Sequence, residues 1–328
     1  MQKGGHMNGI KILVVVGIVC AFTLCTAPTS AIAAAKVIPW YTPPSGGAGY
    51  MLGAGLASVT KKYLQDVEVV VEPTKGTLEM VRLLREREGM KRDAFAQIGS
   101  PDASDAYKGE KGFAGKPYPT IRAVTFLHGG DAPLVVLRNS SIKSYADLKG
   151  KRVGIGGAGS SVALMSFACL EAHGVKREDF KPYYYSYKES ADGITDKSLD
   201  AGFMPVLSFA ELSLTQDVRM VLMDEPVAKK IVTEHPYYYI DVVKAKSYKG
   251  VEQDTPIMLF AVNLFTHAGV SEDLTYRILK NLYEHLPEFH AVHRAARDAT
   301  LQNALRGVVV PLHPGAEKYY KEVGVIKK

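Results

Sequence analysis

The chain has 328 residues, of which 47% are hydrophobic and 23% are charged, values typical of a globular protein with one or two apolar cores. This composition excludes collagen-like, disulfide-scaffold and largely disordered chains. The net charge is +6, from 40 Lys and Arg against 34 Asp and Glu, and the basic residues are dispersed, which argues against a nucleic-acid partner.

The first 33 residues have the pattern of a secretory signal peptide. Lys3 and Lys11 precede an uncharged run from Ile12 to Cys25, and small residues follow as far as Ala33. As a helix this run would rise about 21 Å, less than the roughly 30 Å of a bilayer hydrocarbon core, which argues against a membrane anchor. We therefore predict a signal peptide over residues 1–33 and export to the periplasm.

The remaining chain contains a single cysteine, Cys169, because Cys20 and Cys25 lie within the predicted signal peptide. One cysteine cannot form an internal disulfide. Cys169 lies in an apolar helical stretch with no neighbouring base, which favours a buried core thiol over a nucleophile.

Predicted strands and helices alternate from residue 37 onward. Leu52, Leu56 and Val59 recur at helical spacing, whereas the sequence VEVVV at 67–71 is typical of a strand. Strands are predicted at 37–41, 67–71, 93–98, 121–127, 133–137, 152–156, 183–187, 201–205 and 257–265, and helices at 52–63, 78–88, 145–150, 162–173 and within 271–305. This order predicts an α/β fold with ligands at the carboxyl ends of parallel strands.

The economical arrangement is two α/β lobes, the first of them discontinuous. We predict the first lobe at residues 34–129 plus 258–328 and the second at residues 130–257. The apolar segment 257–265 is long enough to cross between the two lobes.

A glycine-rich segment, Gly154–Gly159 (GIGGAG), lies between a predicted strand and a predicted helix and fits the pattern G-x-G-x-x-G. It is open to three interpretations: a dinucleotide turn, a carboxylate site at the start of the helix, or a tight packing turn. A dinucleotide fold needs an acidic residue about 20 positions on, at a strand end. Here that residue could only be Glu178 or Asp179, which lie in a polar turn, so the other two interpretations are favoured.

Two more corners between a strand and a helix place Gly beside Ser or Thr. They are the segment 42–50 (TPPSGGAGY) and the pair Gly76-Thr77. Together with the glycine-rich segment, these corners predict a ligand site along one edge of the sheets.

Five segments, in this order along the chain, carry a family resemblance. They are GGAGYMLG at 46–53, GTLEMVRLL at 76–84, IKSYADLKGKRV at 142–153, LQNALRG at 301–307 and, most specific, PLHPGAEKYY at 311–320. With them the chain resembles the TRAP-associated extracytoplasmic immunogenic (TAXI) family, the solute-binding subunits of one branch of the tripartite ATP-independent periplasmic (TRAP) transporters. The resemblance implies a two-lobed periplasmic binding protein, type II-like, in which each lobe is a mostly parallel sheet flanked by helices and the ligand lies in the interlobe cleft.

The resemblance also implies the function and the site. The protein is expected to be a monomeric receptor that captures a small organic acid, carboxylate or amino-acid-like, by lobe closure and delivers it to TRAP membrane subunits. No catalysis, cofactor or metal is expected. The implied ligand-binding residues are Ser45, Gly47, Tyr50, Thr77, Met80, Gln97, Gly159, Ser160, Ser161 and Leu207.

Several positions depart from the family pattern. The chain has Ala48-Gly49 where the family has Thr-Tyr, Met80 for Asn, Ser161-Val162 for Gly-Thr and Leu207 for Gly. Most of these changes remove polar or aromatic groups or add apolar bulk, and an unsatisfied polar group costs about 1–3 kcal/mol. We therefore expect a ligand less polar than glutamate.

Other candidates have weaker support. His285, His290 and His293 lack the i, i+4 spacing of helical metal ligands, and His313 is expected to cap or pack. Arg122 is a possible carboxylate clamp, and the tyrosines at 183–187 and 237–239 could line a cleft or pack in strands. The alternative functions are an exported sensor or scaffold of the same fold and an oxidoreductase that uses the loop at 154–159.

Overall fold

Two β-sheets with helices packed around them form the structure, a computed structural model that describes residues 35–45 and 48–327. The predicted signal peptide and the predicted site residue Gly47 lie outside the described residues. The strands are β1 (Lys36–Thr42), β2 (Val67–Pro73), β3 (Phe95–Gly99), β4 (Ile121–Asp131), β5 (Leu134–Leu137), β6 (Arg152–Gly154), β7 (Lys181–Tyr183), β8 (Ala201–Phe203), β9 (Val218–Val221), β10 (Tyr238–Val243) and β11 (Thr255–His267). The helices are α1 (Ala48–Tyr63), α2 (Thr77–Gly89), α3 (Ser100–Lys108), α4 (Ser161–Ala172), α5 (Tyr187–Thr195), α6 (Val206–Thr215), α7 (Glu225–Glu234), α8 (Glu272–Glu284), α9 (Leu286–His290) and α10 (Pro314–Glu322).

Sheet 1 has the strand order β10-β11-β3-β1-β2, with β4 paired to the other side of part of β11. Strand β1 runs parallel to β2 and β3, whereas β11 is antiparallel to β3, β4 and β10. Sheet 2 has the order β7-β6-β8-β5-β9, in which β6 is parallel to β7 and β8, and β5 is antiparallel to β8 and β9.

The predicted α/β class with two sheets flanked by helices is confirmed, and both sheets are mixed where mostly parallel sheets were expected. The reason lies in the connections between strands. Strands β10 and β11 are joined by residues 244–254 without a helix, and a connection of that kind favours antiparallel pairing.

Packing on sheet 1 follows the alternation of side chains along its strands. Phe95 packs with α1 and stacks on Trp40 with ring centroids 5.7 Å apart, whereas Ala96 and Ile98 pack with α2 on the opposite face. Gln97 therefore lies, like Phe95, on the face of sheet 1 that packs against α1.

The long strand β11 contributes to the cores of both sheets. Leu264 packs with α1 and α8 on sheet 1, whereas Met258 and Phe260 pack with residues of sheet 2 such as Leu134. The predicted lobe boundaries, 129/130 and 257/258, lie inside β4 and β11. The assignment of residues to two lobes stays a prediction.

The strand predicted at 183–187 is wrong beyond its first residue. Strand β7 ends at Tyr183, and helix α5 begins at Tyr187. The Ser186 hydroxyl accepts a hydrogen bond from the Glu189 N–H (3.3 Å), and the Glu189 carboxylate accepts one from the Ser186 N–H (2.7 Å). This capping box starts a helix at a point where the β-propensity of the tyrosines favours a strand.

Cys169 is a buried free thiol on α4, as predicted. Burial raises its pKa to about 12, so the sulfur is protonated at neutral pH and is a poor nucleophile.

Candidate functional site

The carboxyl ends of β1, β2 and β3 meet at one edge of sheet 1, and α1, α2 and α3 begin there. The N–H and the hydroxyl of Thr74 both donate to the Thr42 carbonyl, at 3.0 and 2.9 Å, and so hold the ends of β1 and β2 together. Thr77, the first residue of α2, is buried at this edge. Two of the predicted Gly and Ser/Thr corners therefore lie side by side, as expected for an edge of this type.

The start of α4, which belongs to sheet 2, lies directly on the end of β3. A Cβ atom at Gly99 would overlap the Ser161 hydroxyl, so only glycine allows this approach. The Ser161 hydroxyl donates a hydrogen bond to the buried carboxylate of Asp102 on α3. The third predicted corner thus meets the edge of sheet 1 through Ser161.

A second contact joins the same two regions. Leu78 on α2 lies against Gly159, where its Cδ1 atom is 2.7 Å from the position that a Cβ would take. Gly159 has φ of 70°, a conformation that favours glycine. The neighbouring Ser160 caps α4, since its hydroxyl accepts from the Ala163 N–H at 3.2 Å.

Asp102 lies in an unusual electrostatic environment at this junction. Burial raises the pKa of its carboxyl group to about 7, and the nearby charge of Asp105 acts in the same direction, whereas the Ser161 hydrogen bond lowers it. Asp102 also acts on Tyr237: burial raises the pKa of that phenol to about 12, and the charges of Asp105 and Asp102 add to the effect. The junction is thus acidic.

We expect the protein to lose stability through Asp102 as the pH rises. The folded-state pKa of Asp102, about 7, exceeds the ordinary 3.8. Its contribution to the free energy of unfolding is therefore fully present below pH 3.8 and is lost as the pH rises towards 7. Asp102→Asn keeps a partner for Ser161 without the charge, so it should flatten this dependence and raise the free energy of unfolding at about pH 8 by about 1–3 kcal/mol.

Urea denaturation across this pH range measures the effect. Asp192→Asn, which removes a surface carboxylate that pairs with Lys188, is the control and should leave the pH dependence unchanged. Identical pH slopes for Asp102→Asn and the unmodified protein would contradict the prediction.

Gln97 is the predicted site residue with the strongest structural signal. Its side chain is 1% exposed, and within the described residues neither its Oε1 nor its Nε2 atom has a hydrogen-bond partner. The Oε1 atom lies 3.5 Å from the position of a Cβ on Gly53, near the start of α1. Buried amides are almost always paired, so this amide is a candidate contact for a molecule that binds from outside the chain.

His128 on β4 is a further candidate residue, which sequence reasoning missed. It pairs with Val262 of β11, and Gly99 of β3 pairs with the same residue from the other side. Within the described residues, its buried Nε2 atom has no hydrogen-bond partner. No motif marks His128; the signal available is a histidine followed by Gly129 and Gly130 at the end of a predicted strand.

The other predicted site residues are spread along the edges. Ser45 is exposed in the turn before α1, and Tyr50 is half-buried in the first turn of that helix. Met80 packs in the core between α2 and sheet 1, and Leu207 is exposed on α6 of sheet 2. The structure brings Gln97 and Thr77 to one edge of sheet 1. Ser161 lies against Gly99, two residues after Gln97 on β3. No described contact joins Leu207 to these residues.

The glycine-rich segment is explained without a dinucleotide. Strand β6 ends at Gly154, and Gly156 has φ of 86° with Val162 packed against it, as a tight turn requires. Glu178 and Asp179 lie in a 3₁₀ turn that precedes β7, so neither follows the strand end where a ribose-binding acid would lie.

Two further candidates have structural roles. Arg122 pairs with Thr266, far along β11 from the Val262 position, and it donates to the carbonyls of Pro119 and Ile121, so it is no clamp at this edge. His313 caps α10, since its Nδ1 accepts from the Gly315 N–H at 3.2 Å.

The described part of the chain contains no group of three or more His, Cys, Asp or Glu side chains arranged to hold a metal ion. None of its helices has the length and apolar character needed to cross a membrane.

Several solved structures share this fold. The periplasmic aliphatic sulphonate-binding protein SsuA from Escherichia coli has a TM-score of 0.51 and 16% identity, over 88% of this chain and 79% of its own. A TctC solute-binding protein from Polaromonas has a TM-score of 0.52 and 16% identity, over 88% of this chain and 98% of its own. PhnD1 from Prochlorococcus marinus, in complex with methylphosphonate, has a TM-score of 0.54 and 14% identity, over 89% of this chain and 99% of its own.

At these identities the similarity is one of fold, the two-sheet α/β fold of solute-binding proteins. The SsuA and TctC neighbours are described as binding proteins, and the PhnD1 structure contains methylphosphonate. The model of one sequence family, described as NMT1-like, matches residues 41–324, which is most of the chain. The chain therefore belongs to the NMT1-like family.

Proposed function

We propose that this protein is a periplasmic receptor that captures a small organic acid by lobe closure and delivers it to the membrane subunits of a TRAP transporter. The observation that carries the proposal is the buried Gln97 amide, which lacks a partner within the described residues and lies beside the contact between Gly99 and Ser161. A ligand enclosed at this point would supply the missing hydrogen bonds.

Closure would involve the two predicted lobes, residues 34–129 plus 258–328 and residues 130–257. Strands β4 and β11 run through the boundaries between them, so bending of these strands would open and close the cleft. The hydrogen bond from Ser161 to Asp102 and the packing of Leu78 on Gly159 would form as the lobes close.

The start of α4 is suited to hold a carboxylate. The first N–H groups of a helix have no intrahelical acceptor, and those of Ser161 and Val162 make no hydrogen bond within the described residues. The helix dipole adds a partial positive charge there, which favours an anion. The ten ligand contacts implied by the resemblance remain part of this proposal.

The apolar departures from the TAXI pattern support a ligand less polar than glutamate. Met80 and Leu207 stand where the TAXI family has more polar or smaller residues; Met80 itself packs in the core, and Leu207 is exposed on α6. An acid with a less polar body would leave fewer of its groups unpaired.

Ligand identification tests the receptor function. Native mass spectrometry of the purified protein should detect one bound organic acid per chain, and a thermal-shift screen of mono- and dicarboxylates should find acids that raise the melting temperature. Absence of a shift across the screen would contradict the receptor function. Tight and selective binding of glutamate would contradict a less polar ligand.

Transport assays test the partnership. In liposomes that contain the TRAP membrane subunits, uptake of the bound acid should require both this protein and an ion gradient. Uptake that depends instead on ATP hydrolysis by a different membrane complex would contradict the TRAP assignment.

A further inference from the structure

A pocket with a volume of about 260 Å³ opens at the β9 edge of sheet 2, apart from the candidate site on sheet 1. Its walls are strand β9, the loop at residues 138–144 that follows β5, and the loop at residues 244–254 with the start of β11. None of the predicted ligand-binding residues that the structure describes lines it. Pockets for drug-sized ligands have volumes of roughly 300–1,000 Å³, so this pocket suits a smaller ligand.

Three cationic side chains line this pocket, those of Arg138, Lys143 and Arg219. Arg138 is already paired, because its Nε atom donates to the Asp217 carboxylate at 2.7 Å and its Nη2 atom lies 3.7 Å from the Glu252 carboxylate. Neither Lys143 nor Arg219 forms an ion pair with any other residue that the structure describes. With both acids counted, the pocket keeps a net positive charge.

Arg219 on β9 is held in place by backbone carbonyl groups. Its Nε atom donates to the Arg138 carbonyl at 3.4 Å, and its Nη2 atom donates to the carbonyls of Ser140 and Ile142. Within the described residues its Nη1 atom donates no hydrogen bond. The side chain is half-buried, and burial lowers the pKa of the guanidinium, with the charge of Arg138 acting in the same direction. An anion beside Arg219 would offset the cost of holding this charge away from water.

The loop at residues 244–254 packs tightly enough on β9 to give the pocket a fixed wall. Gly250 has φ of 91°, and a Cβ atom there would lie 2.5 Å from the Val218 carbonyl oxygen, so only glycine allows this approach. The Asp254 carboxylate holds the start of the loop, since it pairs with Lys244 and accepts from the Ala245 N–H, each at 2.9 Å. The pocket is therefore formed before any ligand binds.

The free donors in this pocket indicate the shape of the ligand. Lys143 offers an ammonium group from the loop after β5, and Arg219 offers Nη1 from β9, so the donors lie on two different walls. A carboxylate presents two oxygens on one side, whereas a phosphate or sulfate group presents oxygens in several directions. Cations, and guanidinium groups above all, form strong charge-assisted hydrogen bonds with such oxygens.

We propose that this pocket is a second binding site, which takes a small tetrahedral oxyanion of the phosphate or sulfate type. Lys143 Nζ and Arg219 Nη1 donate to the oxygens of the anion, and the charge of Arg138 adds to the attraction. The bound anion joins the two loops to β9 and so stabilises the fold against unfolding. This site is independent of the receptor function proposed above.

Calorimetry on the unmodified protein at neutral pH is the first test. Sodium sulfate and sodium phosphate are titrated separately, with sodium chloride at the same ionic strength as the reference. We expect saturable binding of one sulfate or one phosphate per chain, displacement of each by the other, and no such binding of chloride. Absence of saturable binding by both oxyanions would overturn the proposal.

Variants of the two free cations locate the bound anion. Lys143→Gln should weaken sulfate binding by about threefold or more, and Arg219→Gln by about tenfold or more. Lys116→Gln is the matched control, because it removes the same charge from an exposed lysine in the turn before β4 and should bind like the unmodified protein. Unchanged sulfate binding in folded Lys143→Gln and Arg219→Gln would overturn the proposal, since the anion would then lie elsewhere.

Chemical labelling keeps the test decisive if Arg219→Gln does not fold, since it needs only the unmodified protein. Saturating sulfate should slow acetylation of Lys143 by acetic anhydride about threefold or more, measured by mass spectrometry of peptides, and should leave Lys116 unaffected. Equal labelling of Lys143 with and without sulfate would overturn this proposal and leave the receptor function standing. Failure of all organic acids to bind would overturn the receptor function and leave this site standing.

Discussion

Replacing Gln97 by leucine is expected to weaken binding of the organic acid by about 30- to 1000-fold, which corresponds to about 2–4 kcal/mol. Leucine is close to glutamine in size but offers no hydrogen bonds. The unliganded protein should be as stable as before or more stable, because the variant removes an amide that is buried and unpaired within the described residues. Binding and stability should therefore change independently, or in opposite directions.

Calorimetry with an acid that binds the unmodified protein measures the loss of affinity, and urea denaturation measures the stability. Gln302→Leu replaces an exposed glutamine in the turn Leu301–Asn303 and is the control for the change in side-chain type. If Gln97→Leu binds within about threefold of the unmodified protein, the amide contributes little and the site lies elsewhere.

The second large effect is expected in the core beneath the site. Phe95→Ala should lower the free energy of unfolding by about 3–5 kcal/mol, because it leaves a cavity against Trp40 and α1. Trp40 is the only tryptophan in the chain, so its fluorescence reports unfolding of this core directly.

Phe95→Leu is the matched control and should cost less than about 1.5 kcal/mol, because it keeps most of the apolar volume. Urea denaturation followed by tryptophan fluorescence compares the two variants. A loss below about 1 kcal/mol in Phe95→Ala would mean that the neighbouring side chains collapse into the space.

Much of the fold follows from local sequence patterns. The helical spacing of Leu52, Leu56 and Val59 predicts α1, and the valine-rich run VEVVV at 67–71 predicts β2. The four tyrosines within residues 183–187 show the limit of such patterns, since they favour a strand and yet Ser186 and Glu189 begin a helix. The helix starting at Ser100 is also absent from the predictions, because its short, polar sequence lacks an apolar period.

The site could be predicted only in part, for a different reason. Gln97 follows from the family resemblance, but its orphan amide is a property of the surrounding structure. His128 and Asp102 acquire their roles from contacts with Val262 and Ser161, which are remote in sequence. No local spacing encodes such contacts, so their positions become visible only when the strands are paired.

The position of β11 has a consequence for how the chain folds. This strand pairs with β3 and β4, and the residue opposite Gly99 is Val262, so the central pairings of sheet 1 join distant parts of the sequence. Contacts of such long range form slowly, because a large loop must close, at a cost in chain entropy, before these contacts can stabilise the fold. Sheet 1 therefore cannot be completed until the last third of the chain has been synthesised. For a protein that we propose is exported, this delay would keep the earlier segments loosely structured during synthesis, a state suited to passage through a narrow secretion channel.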